Sequence, residues 1–214
     1  LLDPDRAAGD QFGYAIDMSQ IPAGNAPSML IGSWAADTQA GLNAGVARVI
    51  HRGVDGWTAY SNNKILPDDP QAGDYFGASV GYHYPWAAVG ATGVGGTGAG
   101  YVFYAVSGPV TWWQVSKLTP AGAAAGDDIG RSIDVTDAHG GWVVLGSPGR
   151  DADFGFSPGI SDPDAGVAYL YRFTGGAFQL AQTSPERIAG IGGAWANDRF
   201  GAATAIADDV VVCG

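Results

Sequence analysis

Gly73-Asp74-Tyr75-Phe76-Gly77 opens a stretch that continues to the apolar run Ala87-Ala88-Val89-Gly90 and then to Gly100-Tyr101-Val102-Phe103-Tyr104. The opening phrase occurs in four versions, the others being Gly9-Asp10-Gln11-Phe12-Gly13, Gly126-Asp127-Asp128-Ile129-Gly130 and Asn197-Asp198-Arg199-Phe200-Gly201. After each comes a short apolar run ending in glycine: Met29-Leu30-Ile31-Gly32, Val143-Val144-Leu145-Gly146 and Val211-Val212-Cys213-Gly214 complete the set. Runs of this length bounded by turn residues read as buried strands. A third element follows in three of the units, at Gly45–Val49, Gly100–Tyr104 and Gly166–Tyr171, and a fourth carries an aromatic residue, Trp57, Trp112 with Trp113, or Phe178. Asp55-Gly56 and Gly175-Gly176 supply hairpin turns between the last two elements.

Four short strands recurring at roughly 60 residues describe a β-propeller blade, a twisted antiparallel sheet that must stack on its neighbours to bury both faces. The expected fold is all-β: three complete repeats, over about 9–66, 73–118 and 126–184, and part of a fourth over 197–214. That falls short of the 4 to 8 blades of a closed propeller, so the sequence reads as a segment of a larger propeller, or one completed by other chains. No signal peptide is visible in it.

Composition agrees. Of 214 residues 35 are Gly and 12 Pro, and Glu186 is the one glutamate among 21 acids, so good helix formers are scarce. With 46% hydrophobic residues and 7 Trp the chain is too apolar to stay disordered. A formal charge of −11 opposes duplex nucleic acid and anionic lipid. The uncharged stretch from Tyr75 to Ser116 is broken by Pro85, Pro109 and many glycines and reads as no membrane span. Cys213 alone can form neither an internal disulfide nor a cysteine zinc cluster.

Phe-Gly followed by Val-Gly-Ala or Leu-Gly-Ser-Pro, as at Phe76-Gly77 with Val89-Gly90-Ala91 and at Ile129-Gly130 with Leu145-Gly146-Ser147-Pro148, resembles the FG-GAP repeats of integrin alpha-chain propellers and of bacterial and protist surface proteins. The resemblance covers nearly the whole chain, although Ile129 and Cys213 depart from its usual residues. It implies a propeller, usually seven-bladed, outside the cell or at its surface, serving adhesion and assembly rather than catalysis. Family members often carry a calcium loop between the first two strands. The corresponding segments here, Asp17–Ser28, Gly81–Trp86, Thr136–Gly141 and Ala205–Asp209, lack the Asp-x-Asp-x-Asp-Gly pattern and are similar to the metal-free variant.

Candidate chemistry is sparse. Gly77-Ala78-Ser79-Val80-Gly81 matches a nucleophile elbow, which needs a strand, a sharp turn and a helix, but Ser79 sits where Ser132, Ala15 and Ala203 sit in the other repeats and reads as a strand residue. Gly93-Val94-Gly95-Gly96-Thr97-Gly98 matches a dinucleotide fingerprint that no helix follows, and reads as a hairpin loop. His51, His83 and His139 fall at different repeat positions, read as loop or strand-end residues, and give no metal spacing. No enzyme is expected and no cofactor is firmly implied.

Carboxylates are the remaining chemistry. Asp151, Asp153, Asp162 and Asp164 crowd one long loop of the third repeat and are the candidate calcium ligands. Asp10, Asp74, Asp127 and Asp198 precede Phe12-Gly13, Phe76-Gly77, Ile129-Gly130 and Phe200-Gly201 at a fixed offset, where a carboxylate accepts backbone N–H groups in a turn. In an antiparallel meander the loops between strands two and three share a rim with the connections between blades. That rim collects most of the aspartates, and Asp37, Asp68, Asp69, Asp151 and Asp153 are its candidate partner-binding residues. Trp57, Trp112, Trp113 and Trp142 are expected between blades, their alternative being a sugar-stacking surface. The function expected is a non-enzymatic extracellular or cell-surface adhesion or assembly module whose partners are proteins or other propeller segments. The alternatives are a carbohydrate-binding or carbohydrate-processing protein and a calcium-dependent structural repeat.

Overall fold

The computed structural model describes all residues except 1–4, 6, 22–25, 59–63, 107–110, 152–162, 185–196 and 209. The first unit consists of β1 (Ala15–Ile21), β2 (Ala26–Ser33), β3 (Val46–Gly53) and β4 (Gly56–Thr58), with β5 (Lys64–Ile65) also paired to β3. The second is β6 (Phe76–His83), β7 (Trp86–Ala91), β8 (Ala99–Ala105) and β9 (Trp112–Leu118). The third is β10 (Ile133–Thr136), β11 (Trp142–Ser147), β12 (Val167–Thr174) and β13 (Ala177–Ser184), and the fourth pairs β14 (Thr204–Ala207) with β15 (Val210–Cys213). Every pairing between these strands is antiparallel and joins neighbours in sequence, apart from β5 on β3. The helical turns among the described residues are two single 3-10 turns, Val94–Gly96 and Ala138–Gly140. The all-β reading in propeller-type blades therefore holds, with strands where the apolar runs predict them.

Blades stack face to face through their second and third strands. Leu30, Ala47 and Val49 of the first unit are covered by Phe76, Val89, Tyr101 and Phe103 of the second. Ala88 and Val102 of the second are covered by Ile129, Val143, Leu145, Tyr169 and Tyr171 of the third. Phe76 and Ile129, the aromatic and its aliphatic replacement, are both fully buried, and each such side chain contributes about 2 kcal/mol by leaving water.

The paired glycines have a steric reason. A Cβ on Gly90 would collide with the carbonyl oxygen of Gly130 in the next blade, and Gly32 and Gly146 stand in the same relation to Gly77 and Gly201. The glycine opening each third element is pressed as closely: Gly45, Gly98 and Gly166, all at positive φ, bridge in parallel to Phe76, Ile129 and Phe200. The repeated phrase of one blade thus rests on two glycines of the blade before it.

Candidate functional site

The loops between second and third strands meet the connections between blades by backbone pairing. At the first junction Gly73, Tyr75 and Phe76 donate their N–H groups to the carbonyls of Leu42, Asn43 and Ala44. At the third, Asn197, Arg199 and Phe200 donate to Pro163, Asp164 and Ala165, and at the second Gly126 and Ile129 donate to Gly96 and Thr97. These contacts place both loop sets at one rim. The residue after each recurring aspartate, Gln11, Tyr75, Asp128 or Arg199, has positive φ, which closes the turn. The aspartate itself accepts the N–H three residues back: Ala7 to Asp10 at 2.6 Å, Gln71 to Asp74 at 2.7 Å and Ala124 to Asp127 at 2.9 Å. Burial raises the Asp74 carboxyl above its ordinary range, opposed by the Gln71 N–H.

A second carboxylate position ties the first two rim segments to the sheet. Asp5 Oδ2 receives Arg48 and Lys64, each at 2.7 Å, and these hydrogen bonds, Lys64 first, hold its carboxyl down at about 2. One repeat later Asp69 receives Lys117 at 2.5 Å and the Tyr101 hydroxyl at 3.2 Å, which also lowers its carboxyl, mainly through Lys117. Arg48 and Tyr101 occupy the same register position on their third strands, opposite Lys64 and Lys117. Composition gave no sign of this arrangement; the shared offset of Asp5 and Asp69 from Gly13 and Gly77 is the signal that could have found it.

Of the candidate partner residues, Asp37 is exposed and accepts the Asn43 N–H at 2.9 Å, while Asp68 is exposed with its own N–H donated to Gln114. Asp69 is engaged as above. Asp151 is exposed and accepts the Asp164 N–H at 3.1 Å, bringing two of the four candidate calcium residues together. Asp153 and Asp162 lie outside the described residues. Two rim hollows adjoin these side chains, one of about 380 Å³ lined by Asp10, Asp37, Arg48 and Lys64, the other of about 340 Å³ lined by Asp127, Arg150, Asp151 and Asp164. Among the described residues no group of three or more His, Cys, Asp or Glu side chains is arranged to hold a metal. Between first and second strands, only Tyr84 and Pro85 separate β6 from β7, and Asp137, in the next such connection, pairs with His83 at 2.9 Å.

Along the innermost strands lies a carboxylate contact that the sequence reading did not single out. Asp17 accepts the N–H of Tyr82 in the next blade at 2.6 Å and of its neighbour Met18 at 2.8 Å. Asp134 repeats this with Ile206 and Val135, both at 2.8 Å, and burial, with the Asp17 charge adding to it, raises its carboxyl above the ordinary range. Ser79 lies inside β6, as expected, and its hydroxyl donates to the Gly130 carbonyl at 2.7 Å; Ser132 donates to Gly201 at 2.8 Å. Both hydroxyl protons join blades.

Two expectations need correction. Trp113 is 65% exposed rather than held between blades, because it projects from the outer strand β9. Among the described residues the tryptophan most fully enclosed there is Trp86, packed on Phe173 and Phe178 at 5.0 and 5.1 Å, a role its unremarkable place in the apolar run does not reveal. His51 lies buried within β3 rather than at a loop or strand end.

The family model for the FG-GAP repeat matches residues 60–103, which span β5 to most of β8. This segment is similar to the FG-GAP repeat. No curated protein matches the chain. The geometry of the matched unit, with its Phe76-Gly77 seated on the glycines of the preceding blade, recurs at Ile129-Gly130 and Phe200-Gly201. No described helix is long and apolar enough to cross a membrane.

Proposed function

We propose that this chain is a non-enzymatic adhesion and assembly module of the cell surface or extracellular space, binding protein partners through its acidic rim. The observation that supports this reading is the exposure of Asp37, Asp68 and Asp151 on a rim whose described segments are joined between blades by backbone hydrogen bonds. Charges held on a fixed rim are presented at little entropic cost, and exposed carboxylates select a basic partner surface. The one motif with catalytic resemblance argues the same way, since the Ser79 hydroxyl donates to a carbonyl instead of to a general base.

The test compares cell retention on surfaces coated with the wild-type chain and with the triple variant Asp37→Lys, Asp68→Lys, Asp151→Lys. The expected result is salt-sensitive retention that the variant loses. Equal retention by both chains overturns the rim as the binding surface.

A second reading, carbohydrate binding, is favoured by one observation: exposed Trp113 stands directly across from Tyr104, which is 40% exposed. Neighbouring exposed rings can stack on the apolar face of a sugar. Saturable quenching of tryptophan emission by an oligosaccharide, absent in Trp113→Ala, would establish it.

A further inference from the structure

The stretch from Tyr75 to Ser116 that holds no Asp, Glu, Lys or Arg runs from the start of β6 almost to the end of β9. In a chain of formal charge −11, Lys117 is therefore the one such residue on the four strands of the second blade. It sits at the acidic end, paired with Asp69. β8 starts at Ala99 beside that rim and finishes at Ala105 on the opposite one, where β9 begins at Trp112. The blade thus meets the opposite rim without charge.

What it presents there is apolar. Trp86, Tyr104 and Trp113 stand opposite one another across β7, β8 and β9, and exposure rises along the row from buried Trp86 through Tyr104 to Trp113 at 65%. Val106, two residues on from Tyr104, is 49% exposed, and its N–H donates to the Thr111 carbonyl, so the hairpin is still paired at this point. The second unit has a blade on each side, so these side chains are exposed with their neighbours in place. On the same rim the hairpin of the first blade adds Val54, fully exposed at its tip. A sugar site needs polar groups placed around its stacking ring. Gln114, the residue after Trp113, is committed to the Asp68 N–H, and Val106 and Val54 offer a sugar nothing. Aromatic rings beside aliphatic side chains suit instead the boundary between lipid headgroups and acyl chains.

We propose that the rim opposite the acidic one docks on a zwitterionic lipid surface, with Trp113, Tyr104 and Val106 entering the boundary layer and Val54 making a second, smaller contact. Entry of an uncharged hairpin desolvates no charge. The Tyr104 hydroxyl and the Trp113 indole N–H stay among the headgroups while their rings bury apolar surface. The contact is peripheral, since side chains insert and no segment spans. Docked this way, the chain holds its acidic rim in water, facing away from the bilayer. The proposal goes beyond the assembly reading and uses no residue of the acidic rim.

The probe is a phosphatidylcholine vesicle free of glycan and protein, sedimented with the full 214-residue chain. Wild type should co-sediment equally at low and high salt, because apolar insertion is not screened. Trp113→Ser should bind about tenfold more weakly, and Val106→Ser should lose less. Both side chains are exposed, so the variants should keep the wild-type urea midpoint. Replacing part of the phosphatidylcholine with phosphatidylserine should weaken binding, because an anionic surface repels a chain of charge −11. No co-sedimentation, equal binding by Trp113→Ser, or binding that requires phosphatidylserine overturns the proposal. Binding only to vesicles that carry a glycolipid also overturns it and assigns the rings to sugar. The variant Asp37→Lys, Asp68→Lys, Asp151→Lys should bind phosphatidylcholine as wild type does, so failure of the acidic-rim reading and failure of this one are told apart.

Discussion

The second and third units share a backbone plan but tie down their leading segments differently. In the second, Asp69 is gripped by Lys117 and Tyr101. In the third, Gly122 stands at the offset of Asp69, and Thr183 takes the register position of Lys117 opposite Tyr169. Acid and base are absent together, and Arg150 does the work from another loop, donating to the Gly122 carbonyl and pairing with Asp127 at 2.7 Å. The glycine contacts differ in no such way. Gly32, Gly90 and Gly146 each meet the carbonyl of the next Phe-Gly or Ile-Gly glycine. What the units hold in common is close backbone approach, and the charges around it are exchangeable.

If so, the largest loss comes from a methyl group. Gly90→Ala places its Cβ against the Gly130 carbonyl across the junction and against the Ser79 hydroxyl on the adjacent strand, which are hydrogen-bonded to each other and cannot both retreat. The expected cost is about 3 kcal/mol, read as a lower urea midpoint. A change below about 1 kcal/mol would show that the blades slide apart easily and that the comparison has been drawn too sharply.

Arg48 sharpens the comparison from the charged side. It is 2% exposed, yet its partner Asp5 is largely in solvent, so losing the pair strands no buried carboxylate. Arg48→Ala should cost about 2 kcal/mol, chiefly through lost packing of the long side chain. Arg48→Tyr, the residue both later units use at this register position, should recover most of it. Failure of tyrosine to do so would mean that the first unit depends on charge in a way the others do not.

Asp134 tests the junctions from the axis. Its Oδ atoms satisfy the Ile206 and Val135 N–H groups, so Asp134→Ala should cost about 2 kcal/mol in acid. Because the folded-state carboxyl is raised, its contribution is complete below the ordinary carboxylate range and is lost as pH rises through the raised value. The penalty of Asp134→Ala should therefore shrink from acid to neutral pH. A penalty that grows over that window would show that the ionised form is the better clamp.

The repeat, the strands and the buried Phe76 and Ile129 were legible because each is a local pattern of apolar runs and glycines that recurs at fixed spacing. What stayed hidden is contact between repeats. Nothing local marks Ser79 as a donor to Gly130 or Asp17 as an acceptor from Tyr82, since both partners lie a full blade away in sequence. Trp113 departs from expectation for the same reason: a large ring is normally buried, but β9 is the edge strand of its sheet among the described residues. Superposing the repeats by their closing glycines recovers part of this, because Asp5 then falls on Asp69, Lys64 on Lys117 and Ser79 on Ser132.

The smallest effect belongs to Asp69 itself. Its side chain is 48% exposed and that of Lys117 33%, so water and salt screen the pair, and such contacts contribute about 0.5 kcal/mol. The carboxyl is lowered in the fold, so whatever it contributes is present above the ordinary carboxylate range and disappears as pH falls through the depressed value. Asp69→Asn should thus reduce stability slightly at neutral pH and not at all in strong acid, followed by urea midpoints at both. The third unit already carries the double replacement, with Gly122 and Thr183, and still folds to the same register. A loss at neutral pH as large as that of Gly90→Ala would mean that charge, and not backbone approach, holds the second unit in place.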